Sequence, residues 1–232
     1  MAHSVHPKIF RIRETKDWLS RWFNRKKFGI LLREDHLIRF FLEKRLKEAS
    51  IERVEIERSP GKVQIIIASA RPGLIIGRGG SGIEALRKDI QRILLKGRVV
   101  DSEEKQEITL DVREIKNPWI SSALTAQWIA SQLERRMPHR RTIKQGLMKV
   151  MANKEIKGAR IEVAGRLGGA DIARKERVEE GQLPRQTMRA DIEYALREAF
   201  TTYGTIGVKI WLYKGEKFEE KKRKEQETTN DK

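Results

Sequence analysis

From Asp35 the apolar positions fall at helical spacing. Ile38, Phe41, Leu42, Leu46 and Ala49 recur three or four residues apart, which predicts a helix. Two short strands follow over 51–58 and 62–68, joined at Ser59-Pro60-Gly61, a hairpin turn signal. A glycine segment occupies 71–82. Beyond it Ile83, Leu86, Ile90 and Ile93 lie on one stripe, predicting a second helix that Gly97 ends. Residues 99–106 are acidic and loop-like, and Ile108, Leu110 and Val112 then alternate as in a strand. The predicted order is helix–strand–strand–glycine loop–helix–strand, complete near Arg113.

Asn117-Pro118 supplies a cap and a first-turn proline for a further helix. Its apolar face carries Ile120, Ala123, Ala126, Ala130, Leu133 and Met137. Pro138 stops it, and another helix is predicted from about Arg140 to Met151. Strand-like stretches near 158–165 and 207–213 bracket Gly/Arg-rich loops and a short helix predicted near 194–202. Residues 1–33 show no clean period: Phe10, Trp18, Trp22, Phe23 and Phe28 alternate with bases. The fold class is α+β. We expect a basic N-terminal arm (1–34), a first domain (35–116), a second α+β domain (117–213) and a disordered charged tail (214–232). There is no internal repeat.

The sharpest local pattern is Ile75-Ile76-Gly77-Arg78-Gly79-Gly80-Ser81-Gly82-Ile83. Glycines at 77 and 80 let the backbone approach a ligand. The helix that follows presents free N–H groups and a partial positive pole, which suit a phosphate. Arg78 adds a charge at the tip, and Ile76 and Ile83 are expected to pack inward. This is the logic of the KH module, whose G-x-x-G loop clamps single-stranded nucleic acid, so Gly77, Arg78, Gly79 and Gly80 are candidate RNA-binding residues. A second G-x-x-G, Gly165-Arg166-Leu167-Gly168, lacks flanking isoleucines at that spacing and reads as a turn that needs glycine.

Charge names the class of partner. The 232 residues hold 50 Lys+Arg against 33 Asp+Glu, a formal net charge of +17, which points to a polyanion. Residues 1–33 contain nine bases and two acids, and residues 135–149 six bases and no acid. The lysine-rich tail is nearly balanced, seven bases against six acids over 214–232, so the binding charge lies in the folded body and the arm. At about 100° per residue, Arg140, Lys144 and Arg141 fall near 0°, 40° and 100° on one helix face. Ile143, Leu147 and Val150 gather on a neighbouring face that can dock the helix. Trp119, Trp128 and Trp211 read as core or interface. No apolar run approaches the roughly 18 to 20 residues of a membrane-spanning helix, so a membrane is not expected.

Nothing in the sequence marks an enzyme. The glycine loop lacks the G-K-[ST] of a Walker motif, and there is no cysteine. His3 and His6 have no evident third ligand, and the acids are scattered among bases. No cofactor and no metal are expected.

Further motifs occur in series. They are Val5-His6-Pro7, Ala70-Arg71-Pro72-Gly73 leading into the glycine loop, and Gln132-Leu133-Glu134-Arg135-Arg136. After Arg140-Arg141 and Lys144 come Gly165-Arg166-Leu167-Gly168-Gly169-Ala170-Asp171-Ile172-Ala173-Arg174 and Arg189-Ala190-Asp191-Ile192. Thr201-Thr202-Tyr203-Gly204 then leads to Gly207-Val208-Lys209-Ile210-Trp211. In these the chain resembles the bacterial-type small-subunit ribosomal protein S-three family over almost its whole folded length. The resemblance implies a type II KH domain followed by a C-terminal α+β domain, in the head of the cytoplasmic small ribosomal subunit. It implies binding to small-subunit rRNA, contact with small-subunit proteins ten and fourteen, and no homo-oligomer. Arg140, Arg141 and Lys144 match the residues that face mRNA where it enters and that are linked to its unwinding. Lys8, Arg11, Arg135, Arg136, Arg166, Arg174 and Arg189 are the candidate rRNA-binding bases. The match departs at Ser4, where the family usually has lysine, and at the longer, more acidic 99–106. Two other readings remain on the residues alone: a free-standing KH regulator of RNA, and a nucleic-acid lyase for which no lysine or carboxylate constellation argues.

Overall fold

The computed structural model describes residues 5–12, 16–97 and 107–217. The chain divides into two compact units, one of Trp18–Trp128 and one of Met1–Asp17 with Ile129–Lys232.

In the first unit, β2 (Ile51–Ser59) and β3 (Lys62–Ser69) form an antiparallel hairpin. It closes on the pair Ser59 and Lys62, with Gly61 at φ +74° in the turn. β4 (Glu107–Glu114) runs parallel to β3, from Lys62 opposite Glu107 to Ser69 opposite Glu114. Parallel neighbours need a crossover; α3 (Pro72–Ile76) and α4 (Ser81–Gly97) lie within it. α2 (Phe28–Arg45) precedes the hairpin. Ile38 and Leu42 from α2, Ile56, Ile65 and Ile67 from the sheet, and Ile75 and Ile90 from α3 and α4 form one fully buried cluster. At about 2 kcal/mol for each such side chain, this cluster is the main stabilising term of the unit.

α2 begins seven residues before the predicted Asp35, and its buried face explains why. Glu34 and Asp35 are 3% and 0% exposed, held by Arg58 on β2 at 2.7 Å and 2.6 Å. The second Asp35 oxygen accepts hydrogen bonds from Ser20 Oγ and Trp22 Nε1, both at 2.8 Å. These bonds tie β1 (Ser20–Arg21) along the edge of β2 as a parallel strand, giving the sheet order β1-β2-β3-β4. The residues expected as one N-terminal arm, 1–34, therefore divide between the two units. Trp119 and Trp128 are half-buried and pack edge-on at 5.2 Å. The acidic segment 99–106 lies outside the described residues.

The second unit is an antiparallel sheet of order β6-β5-β8-β7, built from β5 (Gly158–Gly165), β6 (Arg174–Gly181), β7 (Ala190–Thr201) and β8 (Gly204–Glu216). Alternation sends Ile161, Val163, Val208, Ile210 and Leu212 to one face, all at most 1% exposed. α6 (His139–Met151) packs there through Ile143, Leu147 and Val150. Gly146 permits the close approach: a Cβ at that position would lie 3.2 Å from Ile129. The other face carries Ile192, Tyr194, Trp211 and Tyr213, so Trp211 sits in a core as expected. The short helix α1 (Pro7–Phe10) lies against β7, with the His6 ring edge-on to Tyr194 at 4.8 Å.

The helix predicted at 194–202 is absent. Those residues form the body of β7, paired with β8 from Ile192 opposite Tyr213 to Thr201 opposite Gly204. The strand β8 also runs through Glu216, past the expected start of the tail. Lys214 pairs with Glu193 and Lys217 with Asp191, at 2.7 Å and 2.9 Å. The remainder of the tail, 218–232, lies outside the described residues.

Candidate nucleic-acid interface

Two cationic features carry the candidate interface, one in each unit. In the first, Pro72 sits in the first turn of α3, and Gly77 N–H closes that helix on Gly73 O at 3.0 Å. The chain then turns through Gly77, Gly79 and Gly80 at φ +71°, +59° and +81°, a region that costs a side-chain-bearing residue about 1 kcal/mol or more. Ser81 Oγ donates to Arg78 O at 2.9 Å and fixes the turn at the start of α4. Arg78 is exposed at its tip. The loop thus points one guanidinium and the N-terminal pole of a 17-residue helix outward.

Two details differ from expectation. Ile75, at 1% exposure, anchors the loop, whereas Ile76 is 38% exposed; α3 turns by one residue relative to the reading that buried Ile76. Within the loop the glycine with the tightest surroundings is Gly82, not singled out in the sequence. A Cβ there would stand 2.5 Å from Ile75 O and 2.9 Å from Ile76 O, so α4 starts against α3 only because position 82 is bare. The third glycine of Gly79-Gly80-Ser81-Gly82 was the available signal.

In the second unit, the C-terminal end of α5 (Ser122–Glu134), a helix whose first residues belong to the first unit, is followed by a left-handed residue. Arg136 has φ +62°, its N–H donates to Leu133 O at 2.9 Å, and Met137 N–H donates to Gln132 O at 3.1 Å. This is a Schellman closure with arginine where glycine is usual. Pro138 follows and cannot continue the helix. α6 then presents Arg140, Arg141 and Lys144 to solvent, while Thr142, Ile143, Gly146, Leu147 and Val150 are buried. The spacing inferred from the sequence therefore brings these three bases onto one outward face.

Arg140 is not alone on that face. Its Nη2 lies 3.1 Å from Glu176 Oε1, and its Nε lies 3.3 Å and 3.4 Å from the two carboxylate oxygens. His139 Nε2 stands 3.2 Å from Glu176 Oε2. The hydrogen bond from Arg140 foremost holds the Glu176 carboxyl below the usual carboxylate range, and Glu176 in turn raises the Arg140 guanidinium. Glu176 comes from β6, so no helical periodicity could reveal it.

The remaining candidate bases divide. Lys8, Arg135, Arg136 and Arg174 are exposed, as is Arg189 in the turn that enters β7. Arg166 is half-buried and tied into its own loop, with bonds to Ala170 O at 3.0 Å, Tyr203 O at 3.3 Å and Asp171 at 3.0 Å. Arg11 departs from the expected rRNA-binding role. It is 1% exposed, and its guanidinium donates to the backbone oxygens of Ala190, Pro7, Arg185 and Thr187 at 2.8 to 3.1 Å. Buried and satisfied in this way, it is a structural clamp and offers no donor fork to a phosphate. His6 is likewise structural: its Nδ1 accepts Lys8 N–H at 3.2 Å and caps α1.

A family model described as Ribosomal protein S3, C-terminal domain, matches residues 129–212, and a KH domain model matches residues 37–120. Small ribosomal subunit protein uS3 of Caldicellulosiruptor saccharolyticus is 48% identical over 217 residues, covering 93% of each chain. The chain belongs to the uS3 family of small ribosomal subunit proteins. The uS3 of Exiguobacterium sibiricum is 48% identical over 222 residues, 96% of this chain and 97% of that one. The uS3c of Pyropia yezoensis is 45% identical over 224 residues, 96% and 93%. The uS3 family is structural and non-enzymatic, so the role of this chain is a structural one in the small ribosomal subunit. Within the uS3 chain the KH match takes in α3, the glycine loop and α4, and the C-terminal match takes in α6 with its basic face.

Proposed function

We propose that the chain is an RNA-holding component of the small-subunit head, in which α6 faces incoming mRNA and the other exposed bases grip rRNA. The observation that carries this reading is the α6 face. Arg140, Arg141 and Lys144 are exposed together on a helix whose opposite side is anchored by Ile143, Leu147 and Val150. A rigid mount of this kind fixes the positions of the charges, so a passing strand meets donors that need no ordering. Such a face favours unpaired strand over duplex when its charges track a single backbone, and helps unwind structure without hydrolysing anything itself. Arg78 and the N-terminal pole of α4 form a second phosphate-sized contact in the KH unit. Lys8, Arg135, Arg136, Arg174 and Arg189 are the bases we assign to rRNA, with Arg166 bracing its loop.

Protein neighbours are part of the proposal. Phe28, Leu32 and Phe40 on α2 are 55%, 50% and 59% exposed and fall along one face, with His36 stacked on Phe40 at 6.4 Å. An apolar strip of this kind suits a protein surface, and small-subunit proteins ten and fourteen are the partners we assign. The setting is the cytoplasmic ribosome.

The test is charge reversal. Small subunits carrying Glu at positions 140, 141 and 144 are expected to assemble normally but to translate messages with stable hairpins more slowly. Unchanged speed on those messages overturns the assignment of α6 to mRNA.

A further inference from the structure

We propose that Glu176 is a built-in competitor for the strand phosphate at Arg140, and so sets how tightly the α6 face grips RNA. The inference rests on the reading of Arg140, Arg141 and Lys144 as the RNA face, and adds a residue to it that is neither basic nor on the helix.

The geometry carries the argument. A carboxylate and a phosphodiester both present two oxygens to the planar guanidinium fork. Glu176 occupies that fork, with Arg140 Nε within 3.4 Å of both oxygens and Nη2 at 3.1 Å from one. His139 Nε2 lies 3.2 Å from the Oε2 atom of the same carboxylate. The acid is delivered by β6, 36 residues further along the chain, and β6 is an edge strand packed beside α6. The contact is therefore built by the fold and is not an accident of neighbouring positions on one helix.

Exposure decides what such a pair does. The Arg140 side chain is 77% exposed and that of Glu176 29%. An ion pair open to water on this scale contributes little to stability, so an arriving phosphate displaces the carboxylate readily. The displaced charge remains next to the strand and opposes it. Of the three cations on the face, one is thus neutralised in the absence of RNA and must exchange partners to bind. A face that must let a strand move past it benefits from such weakening, because the phosphate contact at Arg140 then has a competitor waiting to replace it. The direction of the two ionisations, acid made stronger and base held charged, keeps both groups ionised throughout the neutral range.

The experiment uses the full chain and a fluorescent 12-nucleotide oligouridylate, titrated at several salt concentrations. Glu176→Gln is expected to tighten binding by about two- to fivefold, the scale of an exposed pair, and to steepen the slope of log K against log salt by about 0.7. Unchanged or weaker binding overturns the proposal. In an Arg140→Gln background the same substitution is expected to have no effect; a persisting gain means that Glu176 acts as diffuse negative charge and also overturns it. Glu176→Asp keeps the charge but draws the carboxylate back by one methylene. It is the second variant if the glutamine form folds poorly, with a smaller gain expected and no gain counting against the idea. Joint replacement of Arg140, Arg141 and Lys144 by Gln separates the two levels. If it leaves affinity unchanged, the RNA face itself is wrong and the competitor falls with it. If it weakens binding while Glu176→Gln does nothing, only the competitor is wrong.

Discussion

Arg11 Nε donates a hydrogen bond to the carbonyl oxygen of Ala190 at 2.8 Å, joining positions 179 residues apart. The rest of its guanidinium binds the oxygens of Pro7, Arg185 and Thr187, so one side chain pins the N-terminal segment to the approach of β7. Removing it leaves several carbonyls with lost donors in a buried place. Arg11→Ala is expected to destabilise the full chain by about 3 kcal/mol in urea titrations, with Arg11→Lys intermediate because it keeps the charge and loses the fork. The salt slope for RNA is expected to stay the same. A shallower slope with unaltered stability would instead make Arg11 a phosphate ligand.

Gly82 and Gly79 lie three residues apart in one loop and answer differently to a methyl group. At 82 the new Cβ stands 2.5 Å from a backbone oxygen, while at 79 it meets nothing within 4 Å and faces only a left-handed φ of +59°. Gly82→Ala is expected to cost about 3 kcal/mol, at the upper end of overpacking, and Gly79→Ala about 1 kcal/mol. Thermal unfolding of the two variants side by side checks this. Equal losses would mean that α4 shifts freely away from α3.

Arg136 holds the left-handed position of the closure that ends α5, where a side chain is strained. Arg136→Gly is expected to stabilise the chain by about 0.5 to 1 kcal/mol, the relief of strain less the added freedom of the unfolded glycine. A higher urea midpoint at unchanged m-value is the readout.

Burial foremost, and the positive charge of Lys8 next, push the His6 imidazole below its ordinary value of 6.5. The neutral ring is the form that caps α1 and accepts the Lys8 N–H. The unfolded chain thus takes up this proton more readily than the folded one. The contribution of His6 is complete above pH 6.5 and is lost as pH falls through the depressed folded value. Melting temperatures of wild type and His6→Gln from pH 8 to pH 5 are expected to converge on the acid side. A constant difference across that range would contradict the capping role.

The first unit was legible because its pattern is periodic where it is buried. Ile38 and Leu42, the 51–59 and 62–69 strands, and the glycine loop all occur where apolar spacing or turn chemistry placed them. The start of α2 was not, because its polarity is inverted: Glu34 and Asp35 are buried around Arg58, while Phe28 and Leu32 face solvent. Tyr194 to Phe200 is rich in Ala, Leu, Glu and Arg, all helix formers, yet pairing with β8 overrides that local preference. At the candidate interface, the α6 face was legible from 100° arithmetic alone. Glu176 and the burial of Arg11 were not, since both depend on strands that meet the basic residues only after the chain has folded.

The most direct measurement is crosslinking. Purified small subunits programmed with a defined message would carry a photoreactive group at position 140, 141 or 144, and the joined nucleotides would be mapped. Adducts to message nucleotides on the entering side are expected, competed away by an unlabelled message. Adducts to rRNA alone, at the same yield with and without message, would contradict it.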